Sequence, residues 1–316
     1  MYNILMLIAK DFLIPLGLIF WQWQGKYRDK YYAVLMTVLV GAYVAFIYLT
    51  AEWAIYGYYF RYIIAAVWLF ATIHLFFRIR ELPRKAAKNP REKFGQLVIL
   101  AFTFVLIVFS GWAFRGHFVE GDFIELSFPL QNGTYYIIEG GNSPMINTYH
   151  ALPPIPQKFA LDIVKLQGFG RRARGFFPDN LSRYAIFDEP VYSPCGGSVV
   201  AVVDSLPDIR NNHEGMDEKK AYGNYVIIAT GKYQVKISQL KLGSILVKRG
   251  ARVEIGQPLG RVGCSGDVAE PYLHIEATLP ATDPRVTQYW KRSGVPMLFD
   301  QRFLARNDRI EVKSEK

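Results

Sequence analysis

Cysteine is nearly absent from this 316-residue chain, which holds only Cys195 and Cys264, and two are too few for a disulfide framework. One bridge between the two glycine turns that carry them, or a pair of reduced thiols, both remain open. No internal repeat and no low-complexity tract occurs, so nothing points to a solenoid or a long flexible linker. No small-residue cleavage site follows the first apolar segment and further apolar segments come after it, so a cleaved signal peptide is not expected. The net charge is +10, yet no nucleic-acid-binding module accompanies it and nucleic acid is not an expected partner. Arg171, Arg172 and Arg174 could attract an anionic polymer, but a solvated loop accounts for them as well.

Apolar residues, by contrast, are plentiful at 51% of the chain, and they crowd before Gly116. Four stretches, Ile4 to Trp23, Tyr32 to Thr50, Tyr59 to Phe77 and Phe94 to Phe114, approach the ~20 residues that cross a bilayer as a helix. The first contains Lys10, Asp11 and Pro15, which suits a tilted span whose charges face other helices; without it there are three spans. Trp21, Trp23, Trp53, Tyr56, Tyr58, Tyr59 and Trp112 sit at span ends, as an interfacial aromatic belt would. Lys26, Arg28 and Lys30 lie between spans one and two. Arg78, Arg80, Arg84, Lys85, Lys88, Arg91 and Lys93 lie between three and four, whereas the middle connection offers only Arg61. Basic loops stay in the cytoplasm, so everything after Phe114 is expected outside, and the basic excess is in part a topology signal and a contact for anionic lipids.

The expected organisation is therefore α + β in separate domains: a transmembrane helical region at 1–115, a linker at 116–134, a β domain at 135–305 and a charged tail at 306–316. Strand-like runs at Tyr135 to Glu139, Ser198 to Val203, Asn224 to Ala229, Gln234 to Gln239 and Gly260 to Gly263 alternate with glycine turns, the pattern of an all-β sandwich or barrel-like module. In Glu270-Pro271-Tyr272-Leu273-His274-Ile275-Glu276, strict alternation puts Tyr272, His274 and Glu276 on one face and Leu273 and Ile275 on the other. Asp208, Asn211, Asn212, His213, Glu214 and Asp217 fall in a polar insertion that reads as an exposed connection.

Several ordered segments then carry a resemblance. They are Pro194 with Gly197-Ser198-Val199-Val200; Gly223-Asn224-Tyr225-Val226-Ile227-Ile228; Leu240 with Gly243-Ser244; Val247-Lys248-Arg249-Gly250 with Gly256-Gln257; Val262-Gly263-Cys264-Ser265-Gly266; and Pro271 with Leu273-His274-Ile275-Glu276. Together they resemble the core of the lysostaphin/LytM-type zinc metallopeptidases, over roughly residues 135 to 305.

The resemblance implies a zinc ligand at Asp162, in Gln157-Lys158-Phe159-Ala160-Leu161-Asp162-Ile163, and another at His274. A histidine usual four residues before the aspartate is here Lys158, whose ammonium cannot ligate unless it loses its proton. His150 is the nearest substitute for a His150, Asp162, His274 ligand set; it reads equally as a loop histidine. Asn142 and Asn147, in the turn after the first strand, are the candidate substrate-binding residues. Two histidines that serve catalysis in active members are replaced, one by Gln239 and the other by Tyr272. A phenol and an amide can donate hydrogen bonds to an oxyanion, but neither is a base near neutral pH.

What the resemblance implies is thus a multi-pass protein of the bacterial cytoplasmic membrane with an outer domain that cuts peptidoglycan cross-links. A degenerate relative that binds wall peptide or a cell-wall hydrolase without cutting is the alternative, and Gln239 and Tyr272 favour it. A third reading, a transporting or signalling bundle, has little to support it, because the spans carry only scattered ionisable groups such as His74.

Overall fold

The computed structural model describes residues 4–150, 155–209, 222–279 and 292–313. Asn211, Asn212, His213, Glu214 and Asp217 of the polar insertion lie outside them. Two compact units result, one of residues 1–53 and 59–114, the other of residues 54–58 and 115–316.

In the first unit, four helices, Ile4–Gln24, Lys30–Thr50, Phe60–Arg78 and Pro90–Arg115, are long and apolar enough to cross a membrane. The first includes a π-helical turn at Ala9–Leu13, where Asp11 is buried beside Lys10 at 2.9 Å, so its charge faces protein. Asp29 caps the second helix by accepting from the Tyr32 amide at 2.7 Å and also accepts from the Ala86 amide at 3.1 Å. One carboxylate thereby fixes a helix start and the connection between the third and fourth helices.

The second unit is built of strands. In chain order they are β1 (Ile124–Leu126), β2 (Gly133–Glu139), β3 (Leu161–Lys165), β4 (Pro190–Tyr192), β5 (Gly197–Val203), β6 (Asn224–Thr230), β7 (Tyr233–Leu240), β8 (Arg252–Val253), β9 (Pro258–Arg261), β10 (Leu273–Thr278), β11 (Gly294–Val295), β12 (Met297–Phe299), β13 (Arg302–Phe303) and β14 (Arg309–Val312). The main sheet runs β14-β2-β3-β10-β7-β6-β5-β8, with β11 against β10. It stays open, so the barrel-like alternative is not realised. Two stretches expected as linker and tail are strands: β1 pairs parallel with β12, and β14 pairs with β2.

Alternation divides the sheet into two faces. Leu273, Ile275 and Ala277 of β10 join Val235 and Ile237 of β7 and Leu161 and Ile163 of β3 in the main hydrophobic core. The opposite face carries Asp162, Lys236, Ser238, His274 and Glu276, all buried. Tyr56 and Tyr58, expected in an aromatic belt, are 6% and 9% exposed; Tyr58 packs with Tyr136, Ile138 and Val164 in a smaller cluster. Cys195 and Cys264 are both buried and form no disulfide bridge with each other.

Candidate functional site

Antiparallel register sets the site. His274 of β10 lies opposite Asp162 of β3 and opposite Ser238 of β7. Leucine and isoleucine on either side of His274 anchor the core face, so the imidazole must emerge on the polar one. Its Nδ1 is 2.7 Å from Asp162 Oδ1, and both residues are 2% exposed. The sequence-expected pair is therefore brought together.

Tyr149 completes it. Its hydroxyl donates to Asp162 Oδ2 at 2.9 Å, its ring meets the His274 ring edge-to-face at 5.2 Å, and it hydrogen-bonds Tyr272. Burial, followed by the charge of Asp162, lifts both phenols well above their ordinary pKa, so they stay neutral donors. Neither motif nor spacing singles out Tyr149, which adjoins His150 in the turn Thr148–His150.

His150 itself stands elsewhere. Its ring is 5.9 Å from Phe159, and burial together with the nearby Lys158 charge lowers its pKa. Lys158 lies over the Phe159 ring, 5.2 Å from its centroid. Asn147 is fully buried and spends its side-chain amide on the carbonyls of Gly141, Lys158 and Ala160, clamping the turn to the start of β3. Asn142 donates from its side chain to Phe118 O at 3.3 Å and from its backbone to Gly116 O at 2.7 Å. Gln239, in the left-handed region at φ 62°, closes β7, and its backbone carbonyl accepts from the Gly263 amide.

Beyond His274 the polar chain continues. Its Nε2 is 3.9 Å from Glu276 Oε2, too long for a hydrogen bond but close for two charges. Glu276 Oε1 is 3.4 Å from Lys236 Nζ, the residue opposite it on β7. Burial pulls the His274 pKa down, but the hydrogen bond to Asp162 and the charges of Asp162 and Glu276 outweigh it and raise the value to about 9. Burial also opposes ionisation of Glu276, yet Lys236 and His274 hold its carboxyl below the usual range. Lys236 is brought down to about 8 by burial, against the pull of Glu276. At neutral pH the Glu276 carboxylate thus lies between two cations, His274 and Lys236.

A zinc ion does not fit these residues as they stand. Two ligands of a tetrahedral zinc sit about 3.3 Å apart, each ~2.0–2.1 Å from the metal, whereas Nδ1 and Oδ1 are 2.7 Å apart and bonded to each other. The second oxygen of Asp162 is taken by a phenol, and an imidazolium has no lone pair to offer. Among the described residues no three of His, Cys, Asp and Glu are grouped to hold a metal.

The shifts give opposite pH dependences. His274 is raised from 6.5 to about 9, so its contribution to stability is complete below pH 6.5 and lost as pH climbs through 9. Lys236 is lowered from 10.5 to about 8, so its burial penalty is relieved as pH rises above 8. The melting temperature should fall between pH 6.5 and 8 and level off between 8 and 9. In Lys236→Met the fall should continue to pH 9; thermal melts across that range check both slopes.

Residues 184–284 match peptidase family M23. No curated protein matches the chain. Among solved structures, a zinc-containing peptidase from Vibrio cholerae is 19% identical over 54% of this chain and 39% of its own, with a TM-score of 0.32. The catalytic domain of lysostaphin from Staphylococcus simulans is 16% identical over 43% of this chain and 80% of its own, with a TM-score of 0.25. A mutant catalytic domain of the prophage-encoded M23 protein EnpA from Enterococcus faecalis is 15% identical over 53% and 88%, with a TM-score of 0.26. The chain thus spans well under half of the first of these. Four helices apolar and long enough to cross a membrane are thus followed by a β-rich unit whose residues 184–284 match peptidase family M23.

Proposed function

We propose that this is a membrane-anchored protein whose M23-type domain lies outside the cytoplasmic membrane and binds cell-wall peptide, or a hydrolase acting on it, without cutting. The carrying observation is the closed pair: Asp162 and His274 are bonded to each other at 2.7 Å beneath the phenol of Tyr149. An enzyme of this kind needs three protein ligands, an open coordination position and a proton-handling group. Among the described residues the first two are lacking as arranged, and loss of a general base alone costs about 10²–10⁴ in rate.

Orientation is supported in two ways. The basic connections favour the cytoplasm. Residues 54–58, between the second and third helices, belong to the same compact unit as the β domain, so that connection and the domain share one side of any bilayer the helices cross.

The test uses the full-length protein in detergent. Less than about one zinc per ten chains is expected, with a melting temperature that moves by no more than about 1 °C on chelation. Soluble muropeptides or a wall hydrolase should bind, and sacculi should release no new fragments. Stoichiometric zinc together with cleavage abolished in Asp162→Ala would establish a peptidase instead.

A further inference from the structure

The connection from the first helix to the second and the one leading into the fourth are both basic, and in the helical unit they fold around one hollow. A cavity of about 290 Å³ lies between the segment that holds Lys26, Arg28 and Asp29, the segment that holds Lys88, and the first turns of the helix Pro90–Arg115. A single water needs only ~10–15 Å³ by the same measure, so this space takes a ligand of many atoms.

Three cations and two carboxylates line it, and the carboxylates are taken up by the fold. Asp29, 1% exposed, accepts from the amides of Tyr32 and Ala86. Glu92 accepts from the Asn89 amide at 3.1 Å and holds Arg28 through its other oxygen at 2.6 Å. The cations, by contrast, keep donors to offer. Lys88 donates to Gln96 Oε1 at 3.0 Å and lies 3.3 Å from Asp29 Oδ2, which leaves one of its three N–H bonds. The Arg28 side chain is 71% exposed, with most of its fork unused. Lys26 is exposed, and no hydrogen bond or ion pair engages it among the described residues. Spare donors on three cations select an anion, and a phosphate accepts several of them at once.

The rest of the wall is apolar. Tyr32, Ala87 and Ile99 contribute to it, and at Gly95 it is open: a Cβ added there would meet no atom within 4 Å. Residues 95, 98 and 102 share one stripe of the helix, and Val98 and Phe102 are 52% and 51% exposed. The opening therefore leads onto an exposed apolar track. A free phosphate gains nothing from such a track, whereas hydrocarbon joined to the phosphate is removed from water along it. The depth suits this as well. A helix of 26 residues rises about 39 Å, more than the ~30 Å of a hydrocarbon layer, so its charged first turns reach the headgroups of any bilayer it crosses.

We propose that this cavity binds one anionic phospholipid, with the phosphate among Lys26, Arg28 and Lys88 and an acyl chain leaving past Gly95 along Val98 and Phe102. The site rests on the membrane anchoring proposed above and is independent of what the M23-type domain binds. A zwitterionic lipid is disfavoured, because its own ammonium would approach the same three cations.

The test titrates the full-length protein, in neutral detergent, with phosphatidylglycerol and counts bound lipids by native mass spectrometry. One lipid per chain should bind saturably. Lys26→Gln/Arg28→Gln should weaken it about 25-fold, fivefold for each cation. Arg91→Gln/Lys93→Gln removes two exposed cations of the same helix start that do not line the cavity; in about 0.15 M salt, where charges beyond ~8 Å are screened, the loss should be no more than about twofold. Gly95→Phe keeps every charge, places a ring in the opening and should also weaken binding. Glycerol phosphate and phosphatidylcholine serve as comparison ligands. Glycerol phosphate bound as tightly as the lipid would overturn the lipid as occupant in favour of a soluble phosphate. Equal binding of phosphatidylcholine, or equal losses in the two double variants, would overturn the site. A chain that alkaline carbonate washes from membranes would remove the anchoring itself, whereas one that stays in membranes and binds no lipid removes this site alone.

Discussion

Asp162→Ala is expected to destabilise the β unit by about 3–5 kcal/mol, the usual loss when one member of a buried ion pair is removed. The carboxylate holds His274 through Oδ1 and receives the Tyr149 hydroxyl through Oδ2. Alanine would strand both donors, His274 at 2% exposure and Tyr149 half-buried. It would also leave Glu276, 3.9 Å away, as the facing anion for the imidazolium. Tyr149→Phe should cost far less, about 1 kcal/mol, because it deletes one hydrogen bond and leaves the charges paired. Thermal or denaturant melts of the full-length protein read both. An Asp162→Ala variant that melts with the wild type would mean that the pair is not a structural element.

Glu276→Gln should cost a similar amount, about 3–5 kcal/mol, for a different reason. Glu276 is completely buried between two cations, His274 and Lys236. Neutralising it leaves two like charges in the sheet interior with no anion between them. Lys236→Met is expected to be milder, since Glu276 keeps His274 as its partner. The double variant Lys236→Met/Glu276→Leu should return to within about 1 kcal/mol of the wild type, because an apolar pair of similar volume avoids the desolvation cost and His274 retains Asp162. The informative quantity is non-additivity against Lys236→Met and Glu276→Leu measured singly: if the double loss equals the sum of those two, the residues are not coupled.

Much of this site is legible in the order of residues alone. Alternation around His274 marks the polar face because Leu273 and Ile275 have nowhere to go but the core, and Asp162 follows from the family resemblance. Tyr149 cannot be found that way. Its place depends on Asn147 clamping the turn to three backbone carbonyls, a tertiary fact that no spacing encodes. For the same reason His150, one residue on, falls beside Phe159 rather than beside Asp162.

The pairing of Lys236 with Glu276 is hidden for another reason. Lysine and glutamate in strands are ordinarily solvated, and only the cross-strand register puts them together. The four helices are legible because hydrocarbon thickness sets a length that composition reveals. Tyr56 and Tyr58 are not, since an aromatic residue beside a span suits a lipid headgroup region and a protein interior equally well. Arg309 to Val312 reads as a tail because its charges are real, yet an edge strand exposes alternate positions and tolerates them.

The position of β10, flanked by β3 and β7 in the sheet, gives the charged row one more role. Slippage of β10 by a single place would drive His274 and Glu276 into the oily layer and pull Leu273 and Ile275 out of it. Ions bonded to both neighbouring strands thus serve as pegs that fix alignment, a duty that outlasts any chemistry they perform and that keeps these residues in place whether or not a metal is ever present.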